Sequence, residues 1–264
     1  MGRFAVILAA AGRSTRFGDP KQKKIFAELE GRAVWLRALE PFLTHGEVEQ
    51  IIVAIAAEDR EMFDRRYHDK VAFLNLDVIE GGVERSDTIA KALEKVRPSC
   101  RYVAIHDAAR PCLTEDMVLA VFAAGREHGA ALLAVPVRDT VKRSGDHRFT
   151  SETLPRDELY LAQTPQVFRR DWLEEAYAKR SKEDAAVTDD TQLVEALGHR
   201  CAVVSSSIFN LKITTQEDLR LASAVLRARM KPSRESCGHP FADEVAMWAE
   251  LPKLKPSDLF DPEG

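Results

Sequence analysis

Six short apolar runs punctuate the chain, at residues 4–8, 50–56, 76–79, 102–105, 131–135 and 201–205. Most are continuously apolar rather than alternating, as strands are when helices cover both faces of a sheet. Helical spacing falls between them, near residues 33–42, 87–96, 115–128 and 189–197, and a last long helix is expected at about 216–229. This alternation predicts an α/β chain with a doubly wound sheet, whose ligands bind beyond the carboxyl ends of the strands. One segment breaks the pattern. Residues 138–157 are polar and charged around a Gly145-Asp146 turn, which reads as an extended hairpin leaving the core. Such a solvated arm gains stability by packing on a second subunit. After Met230 the prolines Pro232, Pro240, Pro252, Pro256 and Pro262 divide a tail in which residues 245–248 suggest a brief helix.

Bulk properties narrow the function classes. The 264 residues are 45% hydrophobic and 30% charged, ordinary for a globular enzyme. The net charge of −4 provides no general field for nucleic acid, so a phosphorylated ligand has to be held by local cations. Cys100, Cys112, Cys201 and Cys237 are widely spaced, which suggests neither a zinc site nor a disulfide framework and fits a reducing cytoplasm. Cys112 reads as a packing residue. No apolar stretch approaches the ~20 residues of a membrane span. The opening apolar run is short for a signal peptide, and cleavage after it would remove the first strand, so a soluble, unprocessed chain is expected.

The loop after the first strand carries the strongest chemical signal. Ala9-Ala10-Ala11-Gly12 leads into Arg13, Ser14, Arg16, Gly18 and then Pro20-Lys21-Gln22. Small residues let backbone N–H groups approach a ligand, and the cations suit polyphosphate. A P-loop is excluded because Asp19, not lysine, follows Gly18, and the dinucleotide fingerprint fails at Ser14. Three further elements carry candidate chemistry, the first two of them at or just after the ends of strands. His106-Asp107-Ala108-Ala109-Arg110-Pro111 puts a carboxylate at a sheet edge, where it suits Mg²⁺ or a cap near Thr114. Gly81-Gly82-Val83-Glu84-Arg85-Ser86-Asp87 permits close backbone approach, with Ser86 able to read a base edge and Ser86 or Asp87 able to cap the next helix. Asn210-Leu211-Lys212-Ile213-Thr214 reads as an apolar strand with a lysine that faces either an anion or solvent, before a helix capped by Thr214 or Thr215.

At these intervals the four elements resemble the 2-C-methyl-D-erythritol 4-phosphate cytidylyltransferase family over roughly residues 3–228. Pro136-Val137-Arg138-Asp139-Thr140, Thr164-Pro165-Gln166 and Thr188-Asp189-Asp190 add to the likeness. The chain departs from the family signature at Ser14, in place of a glycine, and at Ile208-Phe209, where an acidic residue is common. The resemblance implies a Rossmann-like nucleotidyltransferase fold with a protruding β-hairpin arm at about 138–157. It also implies a cytidylyltransferase domain over 1–228, with 229–264 as an extension beyond it.

The implied reaction transfers CMP from CTP to 2-C-methyl-D-erythritol 4-phosphate, releasing pyrophosphate, in a cytoplasmic homodimer joined through the arm and using Mg²⁺. Carried over from the family, Arg16, Lys21 and Lys212 are the catalytic cations. Ala10, Ala11, Gly12, Gly82, Ser86, Asp107 and Ala108 hold the nucleotide. Asp107, Arg110, Thr140 and Arg156 contact the second substrate, the last two across the dimer interface, and Asp107 holds the metal directly or through water. The attacking phosphate is mostly dianionic near neutrality, with a second pKa of ~6, so no general base is needed and cations carry the catalysis. Two alternatives remain. One is a cytidylyltransferase for another polyol phosphate such as ribitol 5-phosphate; the other is a catalytically silent nucleotide-binding scaffold.

Overall fold

The computed structural model describes residues 3–12, 14–18, 23–145, 147–180, 187 and 189–230. Lys21, Thr188, the turn residue Asp146 and the helix expected at 245–248 lie outside them. The chain divides into two compact units, Met1–Leu226 and Arg227–Gly264, and of the second only the end of a helix is described.

The first unit begins with β1 (Arg3–Ala10) and a small β-ribbon of β2 (Glu28–Leu29) and β3 (Arg32–Ala33). Next come α1 (Val34–Leu43), β4 (Val48–Ile55), α2 (Arg60–Phe73), β5 (Asp77–Glu80), α3 (Arg85–Leu93) and β6 (Cys100–Asp107). The second half comprises α4 (Glu115–His128), β7 (Ala130–Pro136), β8 (Val141–Arg143), β9 (Glu152–Leu154) and β10 (Tyr160–Arg169). It closes with α5 (Arg170–Ala178), α6 (Thr191–Ala196), β11 (Ala202–Ser205) and α7 (Gln216–Met230). None of the described helices is long and apolar enough to cross a membrane.

Seven strands form the main sheet in the order β11-β7-β10-β6-β1-β4-β5. All neighbours run parallel except β10, which is antiparallel to both β6 and β7. The strand period of two divides β1 between two cores. Phe4, Val6 and Leu8 join Trp35, Phe42, Phe63 and Phe122 on one face, whereas Ala5 and Ile7 join Ile89, Leu93, Leu173 and Val194 on the other. Because both faces are covered, β1 shows no alternation in its sequence. Its partners β4 and β6 leave on opposite sides, which opens a crevice at its carboxyl end.

The expected doubly wound sheet and hairpin are both present. β8 and β9 pair with each other, and no described residue from 138 to 157 is buried. Four elements escaped the apolar pattern: α2, α5, the small ribbon and β10, whose first residues Tyr160 and Leu161 are exposed. The strand expected around Lys212 is absent: residues 210–215 form an irregular segment, held where Ile213 N–H donates to Ala109 O at 2.8 Å.

Candidate active site

A cavity of about 380 Å³ lies beyond the carboxyl end of β1. Its walls come from the loop after β1 (Ala10, Ala11, Gly12, Ser14, Thr15, Arg16), the loop into α3 (Gly82, Val83, Glu84, Arg85) and the end of β6 (Asp107, Ala109). Lys24, Lys212 and Thr214 close it. Four cations, Arg16, Lys24, Arg85 and Lys212, face two carboxylates, Glu84 and Asp107, so the lining carries a local excess of two positive charges on a chain of net charge −4.

The loops adopt their shape for identifiable reasons. Ser14 has φ +55°, the left-handed conformation that favours glycine, and its carbonyl accepts from Phe17 N–H at 3.0 Å. Serine therefore occupies the backbone shape that the signature glycine would supply. A Cβ at Gly12 would meet nothing within 4 Å, leaving the backbone open toward the cavity. Gly81 is different, because a Cβ there would stand 2.5 Å from Ala11 Cβ. The two loops thus touch where only a glycine fits. The N-cap of α3 is Glu84, not the expected Ser86 or Asp87; its N–H donates to Asp87 at 3.3 Å in a capping box in which Asp87 is the N3 partner.

Asp107 is the electrostatic centre. Its carboxylate meets Lys212 Nζ at 2.7 Å, Arg85 Nε at 3.4 Å and Arg110 Nε at 4.0 Å. Burial alone would raise its pKa, but Lys212 and Arg85 outweigh that and hold it well below the usual carboxylate range. Thr114 itself caps α4, accepting from Met117 N–H at 3.4 Å, which leaves Asp107 free of a capping role. Burial lowers the pKa of Lys24, and Lys212 lowers it further; Lys24 Nζ donates to Ile213 O at 2.8 Å.

His106 points to the opposite face and is fully buried. Its Nε2 lies 3.2 Å from Arg110 O and so must donate, which makes Nδ1 the acceptor for the Thr164 hydroxyl at 3.0 Å. Thr164 Oγ1 in turn accepts from Asp107 N–H at 3.0 Å. Burial lowers the His106 pKa to about 4, so the ring is a neutral strut behind Asp107. Asn210 continues the support. Its amide donates to Gln163 and Thr164, each at 3.0 Å, and its carbonyl accepts from Arg110 at 2.7 Å.

Of the site residues expected from sequence, Ala10, Ala11, Gly12, Arg16, Gly82, Asp107 and Lys212 line the cavity together. Ala108 is buried in the core, and Ser86, beside the cavity, is absent from its lining. Arg110 stands behind Asp107, while Thr140 and Arg156 are exposed on the arm, where Arg156 donates to Arg138 O. Two lining cations went unnoticed, Lys24 and Arg85. The first follows Lys21 in a lysine-rich run, and the second comes three residues after the paired glycines, at the start of a helix; either position was a usable signal.

Comparison with known proteins identifies the family. A family model described as 2-C-methyl-D-erythritol 4-phosphate cytidylyltransferase matches residues 4–228. The protein of that name from Salinibacter ruber (strain DSM 13855 / M31) is 43% identical over 225 residues, covering 84% of this chain and 92% of the relative. Its counterpart from Rhodopirellula baltica (strain DSM 10527 / NCIMB 13988 / SH1) is 40% identical over 84% of this chain and 94% of its own length. The crystal structure of 2-C-methyl-D-erythritol 4-phosphate cytidylyltransferase from Thermus thermophilus aligns with a TM-score of 0.70 at 30% identity, over 86% of this chain and 100% of that one. The chain therefore belongs to the 2-C-methyl-D-erythritol 4-phosphate cytidylyltransferase family, a family of nucleotidyltransferases.

Proposed function

We propose that this enzyme transfers CMP from CTP to 2-C-methyl-D-erythritol 4-phosphate, forming 4-diphosphocytidyl-2-C-methyl-D-erythritol and pyrophosphate. The observation that carries the reading is the small-residue loop and its cation-lined cavity at the end of β1, in a chain matched to the family over residues 4–228. The attacking phosphate needs no base. The barrier is the approach of one anion to another, and fixed cations lower it by stabilising charge on the α-phosphate and the leaving pyrophosphate.

Arg16, Lys24 and Lys212 grip the triphosphate in this reading. Lys24 shares with Lys21 the role expected of a lysine after the loop, because Lys24 is the described lysine of that run that reaches the cavity. The backbones of Ala10, Ala11, Gly12 and Gly82 hold the nucleotide, with Ser86 and Ala108 nearby. The residues also fit a divalent cation such as Mg²⁺ held largely by the ligand. Asp107, ionised on the cavity lining, is an anionic oxygen donor suited to a hard cation. Asp107 would hold such an ion, directly or through water, and the ion would supply charge neutralisation for the phosphates.

Thr140 and Arg156, with Arg110, are assigned to the methylerythritol phosphate. Exposure of both arm residues, and of Phe149 and Leu161, supports a homodimer in which the arm serves the other subunit's cavity. Residues 1–228 form the catalytic domain, and 229–264 an extension. Phosphorus NMR of purified protein with CTP, Mg²⁺ and methylerythritol 4-phosphate tests the reading. Paired diphosphate-diester resonances beside pyrophosphate are expected, and unchanged CTP contradicts it.

A further inference from the structure

Behind the cavity wall lies a second, buried layer that the reaction as described leaves without a role. Asp190, at the start of α6, is fully buried, and its Oδ2 pairs with Arg85 at 2.7 Å. The Tyr177 hydroxyl of α5 donates to its Oδ1 at 2.5 Å, and its own N–H donates to Gln166 Oε1 of β10 at 3.1 Å. Arg85 faces the other way as well. It lines the cavity and reaches Asp107 at 3.4 Å, a looser approach than its pairing with Asp190. A parallel tie, from Arg180 after α5 to Asp87, fastens the same first turn of α3.

We propose that Asp190, held by Tyr177, is a positioning residue: through Arg85 it sets the Asp107 carboxylate and the start of α3 for nucleotide binding. This inference rests on the cytidylyltransferase reading of the cavity. A buried ion pair is weak evidence for stability, since apolar packing commonly serves as well, so its orientation toward a functional carboxylate is the informative feature. Lys212 pairs with the Asp107 Oδ2 at 2.7 Å, and Arg85, shared with Asp190, makes only a looser 3.4 Å approach to Oδ1, which leaves that oxygen accessible to a ligand. Without the Asp190 charge, Arg85 would close fully onto Asp107 and compete with the nucleotide. Burial by itself would lower the Arg85 pKa, yet Asp190 and then Asp107 outweigh it, consistent with a guanidinium held between two anions.

The test is CTP binding by calorimetry, well below the melting temperature, for wild type, Asp190→Asn, Tyr177→Phe, Arg85→Gln and the double variants with Arg85→Gln. Asp190→Asn is expected to weaken CTP at least about tenfold and Tyr177→Phe several-fold, with neither adding to the loss in the Arg85→Gln background. Wild-type affinity in Asp190→Asn, or full additivity with Arg85→Gln, overturns the proposal and leaves a structural role that lowers only the melting temperature. If Asp190→Asn does not fold, the Tyr177→Phe comparison decides by the same criteria. Failure of the wild type itself to bind CTP would instead strike the cytidylyltransferase reading.

Discussion

Two residues beside the cavity, Phe17 and Ile213, carry no charge, yet they place the ones that do. Both are buried in one cluster with Cys112, Ala222 and Val225, and they adjoin Arg16 and Lys212 in sequence. Burying a phenylalanine is worth about 2 kcal/mol, enough to hold a short loop with its arginine turned outward. Lys24 works from a half-buried position, so its loss cannot be made up from solvent. Lys24→Ala should lower kcat/KM for CTP on the order of 10²–10³-fold in steady-state assays, as expected for removal of a preorganised transition-state donor. A change below threefold would take Lys24 out of the mechanism. Ser14 invites the opposite experiment. Its left-handed backbone costs about 1 kcal/mol relative to glycine, so Ser14→Gly should raise the urea midpoint without lowering kcat. A lower midpoint would show that the serine side chain contributes more than the strain removes.

At the scale of elements, the site is a meeting of loops, and only some were legible in the sequence. The loop after β1, the Gly81-Gly82 loop and the end of β6 were recognisable because a continuous apolar run ends abruptly in small or charged residues. The same contrast is missing around Lys212. Ile213 and Leu211 are apolar because they pack under α7, not because they belong to a strand, and a five-residue window cannot tell the two apart. β10 was hidden for a related reason. Its inner half, Gln163 to Phe168, is buried with Gln163, Thr164 and Gln166 turned to hydrogen bonds, so polar residues stand where a core strand is expected to be apolar. Arg85 was passed over because its partner Asp190 lies far along the chain. Contact between the two glycine-bearing loops gives a sharp prediction. Gly81→Ala places a methyl against Ala11 Cβ at 2.5 Å, so CTP affinity should fall at least tenfold by calorimetry. Unchanged affinity would mean the loops separate at little cost.

For the whole molecule, the buried polar layer behind Asp107 links the site to stability. His106 has a pKa of about 4 when folded against about 6.5 unfolded, so between these values the unfolded chain binds the extra proton. Stability therefore rises with pH across this window, and about 3 kcal/mol present above pH 6.5 is lost as pH falls to 4. Asp107 acts only at lower pH, since its stabilisation is present above the unfolded value near 3.9 and lost below it. Urea midpoints at pH 7.0, 5.5 and 4.5 should fall stepwise for the wild type, and a flat profile would show that His106 charges without penalty. The account as a whole stands on one reaction. Pyrophosphate release from purified protein with CTP and Mg²⁺ should be followed with methylerythritol 4-phosphate and, in parallel, with ribitol 5-phosphate. The account predicts rapid release with the first substrate and background release with the second. Release with ribitol 5-phosphate alone, or with neither from folded protein that binds CTP, would contradict it.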